Sequence, residues 1–186
     1  MDATMELPVM KYPGQGQFRQ MVGALLGSIE LRGSTATDGA GRRSRLLERP
    51  NACGDRFDLI IERQLDGETQ TLTVAKGLAA GAYGSPNLGV GLDGHLVAVW
   101  EVPANLSVCG QRLDPQGQAM GGVFTVNSSS DRSCRLNPGV RVNASGAFVV
   151  MWEHGWSQTR ARIFDAEGVA NNPEFTVGPS GNAATA

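Results

Sequence analysis

The sequence predicts an all-β fold of repeated four-stranded antiparallel blades, an incomplete β-propeller or an open blade stack, and three observations predict it. The first is an internal repeat. Pro86, Gly94, Trp100 and Glu101 recur as Pro138, Gly146, Trp152 and Glu153, and Asp114, Gly117, Phe124, Thr125 and Val126 recur as Asp165, Gly168, Phe175, Thr176 and Val177. The offset slips from 52 to 51 between the two sets, as one deletion would produce. A period near fifty residues belongs to architectures whose units bury their faces against their neighbours. Secondly, each copy divides into four short strand-like runs separated by Asp, Gly and Pro turns, the content of one propeller blade. Finally, 25 glycines in 186 residues fit a chain of many turns rather than long helices.

Residues 1–53 hold no alignable copy and read as an N-terminal extension or linker. Within them 33–45 has almost no apolar content and is expected to be a mobile linker. Met21 to Ile29 is a short apolar run, too short to span a bilayer; it reads as a signal remnant from a misplaced start or, the preferred expectation, as a short helix or strand that packs on the repeats. The chain opens Met-Asp and shows no basic, apolar leader, so no signal peptide is visible.

Residues 54–84 read as a divergent partial blade. Phe57, Leu59 and Ile61 alternate with other residues, Asp66-Gly67 suits a tight hairpin turn, and Thr69 to Val74 resumes a β-rich run. Leu65-Asp66 sits like Leu113-Asp114, and Leu72-Thr73-Val74 like Phe124-Thr125-Val126.

The two full blades occupy 85–134 and 135–186. Strands are expected at about Asn87 to Leu92, His95 to Glu101, Val108 to Asp114 and Val123 to Asn127. Their counterparts are about Gly139 to Asn143, Ala147 to Glu153, Thr159 to Asp165 and Glu174 to Val177. The second strand of each, Leu96 to Trp100 and Phe148 to Trp152, is apolar on both faces. A half-exposed strand would alternate, so these must be covered on both sides.

These residues carry a resemblance. Gly146-Ala-Phe-Val-Val-Met-Trp152, Arg162-Ile-Phe-Asp-Ala-Glu-Gly168 and Glu174-Phe-Thr-Val177 resemble the tandem β-propeller-type repeats of bacterial secreted and surface proteins, which run Gly-x-Phe-Val-Val-x-Trp, Arg-x-Phe-Asp-x-x-Gly and Phe-x-Val-Asn. The resemblance implies an extracellular or cell-surface location, membership of a longer array or assembly, and non-catalytic binding or adhesion toward a glycan or protein. A structural spacer and a hydrolase on a propeller scaffold are the alternatives. Members of that family often carry an Asp/Gly-rich, cation-binding loop between the second and third strands. Here the loops are Val102 to Ser107 and His154 to Gln158, so no metal and no cofactor is expected.

Function is expected where the copies differ, because the recurring residues are turn and core positions. Trp100 and Trp152 read as seam fillers. Trp156 has no counterpart in the first copy and shares a loop with His154, so Trp156 and His154 are the candidate ligand contacts. Glu101 and Glu153 recur one residue past each Trp, and two equivalent carboxylates are poorly suited to the unlike roles of acid and base. Asp114 and Asp165 open turns. No nucleophile elbow, P-loop or zinc-protease motif occurs.

Composition narrows the partners. A net charge of -2 with no basic clustering in the repeats offers nothing to nucleic acid. With at most three blades, against the four to eight of closed propellers, exposed blade edges are expected to invite self-association. Cys53, Cys109 and Cys134 form no disulfide framework, although Cys109 and Cys134, in one copy, could pair.

Overall fold

A computed structural model describes residues 33–51, 53, 55–79, 86–128, 133–155 and 157–179. They form three four-stranded antiparallel sheets, each taken from one continuous stretch. The first is β1 (Gly33–Thr37), β2 (Arg43–Pro50), β3 (Arg56–Leu65) and β4 (Glu68–Ala79). The second comprises β5 (Asn87–Val90), β6 (Leu96–Val102), β7 (Ser107–Leu113) and β8 (Phe124–Thr125), and the third β9 (Arg135–Val142), β10 (Phe148–His154), β11 (Gln158–Phe164) and β12 (Phe175–Pro179). Within each sheet the strands lie in chain order, and β1, β5 and β9 lie side by side.

The stretch expected to be a linker is instead β1, a turn and the first three residues of β2, so the first sheet has all four strands. Its alternation is real but is built from small residues. Ser34 and Ala36 turn partly inward while Thr35 and Thr37 are exposed, and Ser44 and Leu46 are buried between exposed Arg43 and Arg45. The Met21 to Ile29 run lies outside the described residues.

Cross-strand register fixes the equivalences between sheets. Ser44 pairs with Arg63, Val97 with Arg112 and Val149 with Ile163, which makes Arg63, Arg112 and Ile163 one position. The Leu65-Asp66 alignment is therefore one residue off. The two-residue Asp66-Gly67 turn, with both residues at positive φ, shortens this hairpin relative to the later ones.

Apolar character on both faces of β6 follows from its place between two sheets. Leu96, Ala98 and Trp100 join Leu46, Leu59 and Ile61 in one cluster, while Val97 and Val99 join Val140, Phe148, Val150 and Trp152 in another. Trp100 and Trp152 are 4% and 0% exposed, filling the seam with the preceding sheet. Phe148 and Phe164 stack at 4.9 Å, with Phe124 tilted against both.

Polar contacts between sheets also repeat. Leu88 N–H donates to Ser34 Oγ at 2.6 Å, and one sheet later Val140 N–H donates to Asn87 Oδ1 at 3.1 Å. Register places Gly139 at the same position in the third sheet, where there is no side chain to accept. All three cysteines are free thiols, which overturns the pairing of Cys109 with Cys134. Burial pushes the Cys109 thiol up, against a hydrogen bond from Thr125.

Candidate functional site

Trp156 lies outside the described residues. His154 proves to be the last residue of β10 rather than a loop residue. It is 6% exposed, buried opposite its register partner Arg135. Arg135 is itself buried, and its Nη1 donates to the Leu106 and Ser133 carbonyl oxygens at 2.8 Å each. This guanidinium ties the β6–β7 connection to the third sheet. His154 thus sits in packed structure, where a ligand would have to displace protein to reach it.

The opposite end of the sheets holds a cleft of about 260 Å³ between the second and third sheets. Asp93 and His95 come from the β5–β6 turn, Arg112 and Leu113 from the end of β7, Met120 from the segment before β8, Ser145 and Gly146 from the β9–β10 turn, and Ala166 and Glu167 from the β11–β12 turn. Leu96, Val97 and Val142 contribute the apolar part of the lining.

Turn chemistry sets each of these groups. Gly94 N–H donates to Gly91 O at 3.0 Å, and Asp93 Oδ1 accepts from His95 N–H at 3.1 Å while its Oδ2 lies 2.8 Å from His95 Nδ1. Burial works to raise the Asp93 pKa, but the hydrogen bonds and charge of His95 outweigh it and hold the carboxyl below its ordinary value. The ring is thereby oriented, with its other nitrogen left for a contact. In the β11–β12 turn, Asp165 Oδ1 accepts from Val169 N–H, and Asp114 accepts likewise from Gln116 and Gln118 N–H, the role expected for both.

Arg112 crosses between sheets, its Nη1 donating to Glu167 O and its Nη2 to Ala166 O. Gly168, at φ +84°, makes room for it, since a Cβ there would stand 2.8 Å from Arg112 Cδ.

The same place between the first and second sheets is closed. Turn hydrogen bonds make Asp38, Gly91 and Asn143 equivalent, and likewise Arg42 and His95. At the first junction Asp38 Oδ2 accepts from Arg42 Nε at 2.7 Å and from Arg63 Nη2 at 3.0 Å, and Arg63 also donates to Gly94 O and Pro115 O. These side chains crowd Gly94, where a Cβ would lie within 3.3 Å of all three. At the second junction the corresponding residues are Gly91, His95 and Arg112, facing Gly146, and the space is open.

Sequence reasoning missed this cleft, having placed His95 only at the start of an expected strand. Among the described residues no group of three or more His, Cys, Asp or Glu side chains could hold a metal ion, and no helix is long and apolar enough to cross a membrane.

No family model matches the chain, and no curated protein does. Solved structures do. The α-L-arabinofuranosidase Arb93A from Fusarium graminearum, in complex with an iminosugar inhibitor, is similar at TM-score 0.55 and 12% identity over 73% of this chain and 45% of that one. A NanB sialidase variant from Streptococcus pneumoniae gives TM-score 0.52 and 8% identity over 77% and 23%. The β-propeller domain of the Trilobed protease from Pyrococcus furiosus gives 0.48 and 12% over 78% and 43%. At these identities the likeness concerns the fold. The three sheets are blades of an unclosed β-propeller. The chain spans less than half the length of each of these structures.

Proposed function

We propose that the chain is a non-catalytic binding module of a larger array or assembly and that it takes a glycan in the cleft between its second and third blades. The observation that carries this reading is the opening of that junction, where its counterpart one blade earlier is filled by Asp38, Arg42 and Arg63. The lining mixes donors and acceptors from separate turns over an apolar floor, which suits a polyhydroxylated ring better than an apolar ligand. Its volume is that of a small pocket, with room for about one sugar unit.

Support for binding over hydrolysis comes from the carboxylates. Glu101 is engaged by a backbone N–H, and Asp93 is held ionised by His95, which makes it a poor proton donor. A glycan array probed with wild type, His95→Ala and Trp156→Ala tests the reading. Signal lost in His95→Ala places the ligand in the cleft; signal lost only in Trp156→Ala moves it out of the cleft, and no signal from wild type sinks the glycan reading. Release of reducing ends from any bound glycan would favour the hydrolase alternative.

Self-association belongs to the same proposal. Among the described residues β4, β8 and β12 each pair on one side only, leaving edges open to a second chain. Light scattering across a concentration series checks this, and a mass fixed at one chain would refute it. An extracellular or cell-surface setting completes the reading.

A further inference from the structure

We infer that the sugar taken by this cleft carries a carboxylate, and that Arg112 receives it; the inference rests on the cleft being the binding site. The template is inside the chain. Arg63 and Arg112 occupy one register position and perform the same crossing, each donating to carbonyls of the next sheet's third-to-fourth-strand turn, Pro115 for the first and Ala166 for the second. They differ in counter-ion. Arg63 has the Asp38 carboxylate at 3.0 Å, supplied by the turn between the first two strands of its own sheet. Arg112 has Gly91 at the Asp38 position, and among the described residues its guanidinium donates to backbone carbonyls alone. Two of its five N–H donors are used, on Glu167 O and Ala166 O, and the rest are left for an acceptor.

Glycine leaves this position to its neighbours: a Cβ on Gly91 would lie 2.7 Å from Asp93 Oδ1 and 3.4 Å from Val142 Cγ1, so the Asp93 carboxylate, turned to His95, stands where a side chain here would project. Arg112 lines the open cleft together with them. An arginine facing such a space favours a planar anion that can accept paired hydrogen bonds, which is the geometry of a carboxylate. Of the two acidic side chains on the lining, Asp93 is already matched by His95, and Glu167 is exposed. A hexuronate-type ring, about one sugar unit in size, supplies the carboxylate that Gly91 lacks and the hydroxyls that His95 and Ser145 can bond.

Calorimetric titration with a galacturonate trisaccharide, its methyl ester and a neutral galactose trisaccharide tests the inference. The free acid is expected to bind at least tenfold more tightly than the ester. Gly91→Asp, which adds a carboxylate at the first junction's Asp38 position, is expected to weaken the free acid at least tenfold more than Gly91→Asn does, because both side chains displace Asp93 Oδ1 and only the first adds a charge. Equal binding of acid and ester, or equal affinities in Gly91→Asp and Gly91→Asn, overturns the inference. If the neutral sugar binds as well as the acid and His95→Ala weakens both, the cleft stands and the carboxylate falls. Failure of all three sugars to bind removes the cleft reading as well, and tighter binding of a polyglutamate peptide than of any sugar overturns the inference in favour of a protein ligand.

Discussion

The Glu101 carboxylate in β6 accepts a 2.6 Å hydrogen bond from the backbone N–H of Asn137 in β9, tying the second sheet to the third. Glu153 holds the same position one sheet later, and no described residue donates to it in this way. The recurrence of this Glu is therefore explained by assembly of neighbouring blades rather than by paired catalysis. Glu101→Ala should cost about 1.5 to 3 kcal/mol, the range for a hydrogen bond to a charged group. Glu153→Ala should cost less than Glu101→Ala, because it strands no backbone donor on a neighbouring sheet. Urea unfolding of both variants checks the difference, and equal losses would mean that the carboxylates act within their own sheets.

Trp152 is fully buried, and its Nε1–H has no acceptor among the described residues. Trp152→Ala should be severe, about 3 to 5 kcal/mol, because it empties the seam between two sheets. Trp152→Phe removes the unpaired donor along with some packing, so the two effects offset and the net loss should stay under about 1.5 kcal/mol. A larger loss in the Phe variant, measured by chemical denaturation, would show that the indole N–H finds a partner in solution.

Asp38 links pH to stability. Its burial works to raise the pKa, but hydrogen bonds from Arg42, Arg63 and Ala40 N–H prevail and hold the carboxyl below its ordinary value. A group with a lowered folded pKa stabilises the fold above its unfolded value, about 3.9, and that contribution is lost as pH falls through the folded value. Stability should therefore decline below about pH 4, and Asp38→Asn should flatten part of that decline. The remainder belongs to other groups, Asp93 among them, which shares the downward shift. Denaturation midpoints between neutral and acid pH decide the matter, and parallel slopes for the two proteins would count against the linkage.

Where residues repeat by type, their roles are legible in the sequence. Trp100 and Trp152, the Asp114 and Asp165 turns, the Asp66-Gly67 hairpin and the doubly apolar β6 all follow from local pattern. The first two strands escaped because Ser34, Ala36 and Ser44 fill inward positions with small side chains, which blunts the alternation that marks a strand. That miss concealed the cleft too. Its meaning lies in the contrast of Gly91 with Asp38 and of His95 with Arg42, and the contrast is legible only once 33–50 is recognised as the opening of a blade. The slip of one residue at Arg63 had the same effect on Arg112, because equivalence across strands is set by hydrogen-bond register and hairpin length rather than by spacing along the chain.

Gly168 and Gly41 separate backbone strain from crowding. Both have positive φ, +84° and +78°, but a Cβ at Gly41 meets nothing within 4 Å, whereas at Gly168 it would stand 2.8 Å from Arg112 Cδ and 2.9 Å from Arg112 Nη1. Gly41→Ala should cost about 1 to 2 kcal/mol, the penalty of the left-handed conformation for a residue with a Cβ. Gly168→Ala carries that penalty and must also push Arg112 aside, straining its bonds to the Ala166 and Glu167 carbonyls, so its loss should exceed that of Gly41→Ala by at least about 1 kcal/mol. Removing the arginine tests the attribution. In an Arg112→Ala background the extra cost of Gly168→Ala should vanish while that of Gly41→Ala persists, because only one of the two glycines has the guanidinium in its path. A surplus that survives loss of Arg112 would place the strain in the β11–β12 turn itself.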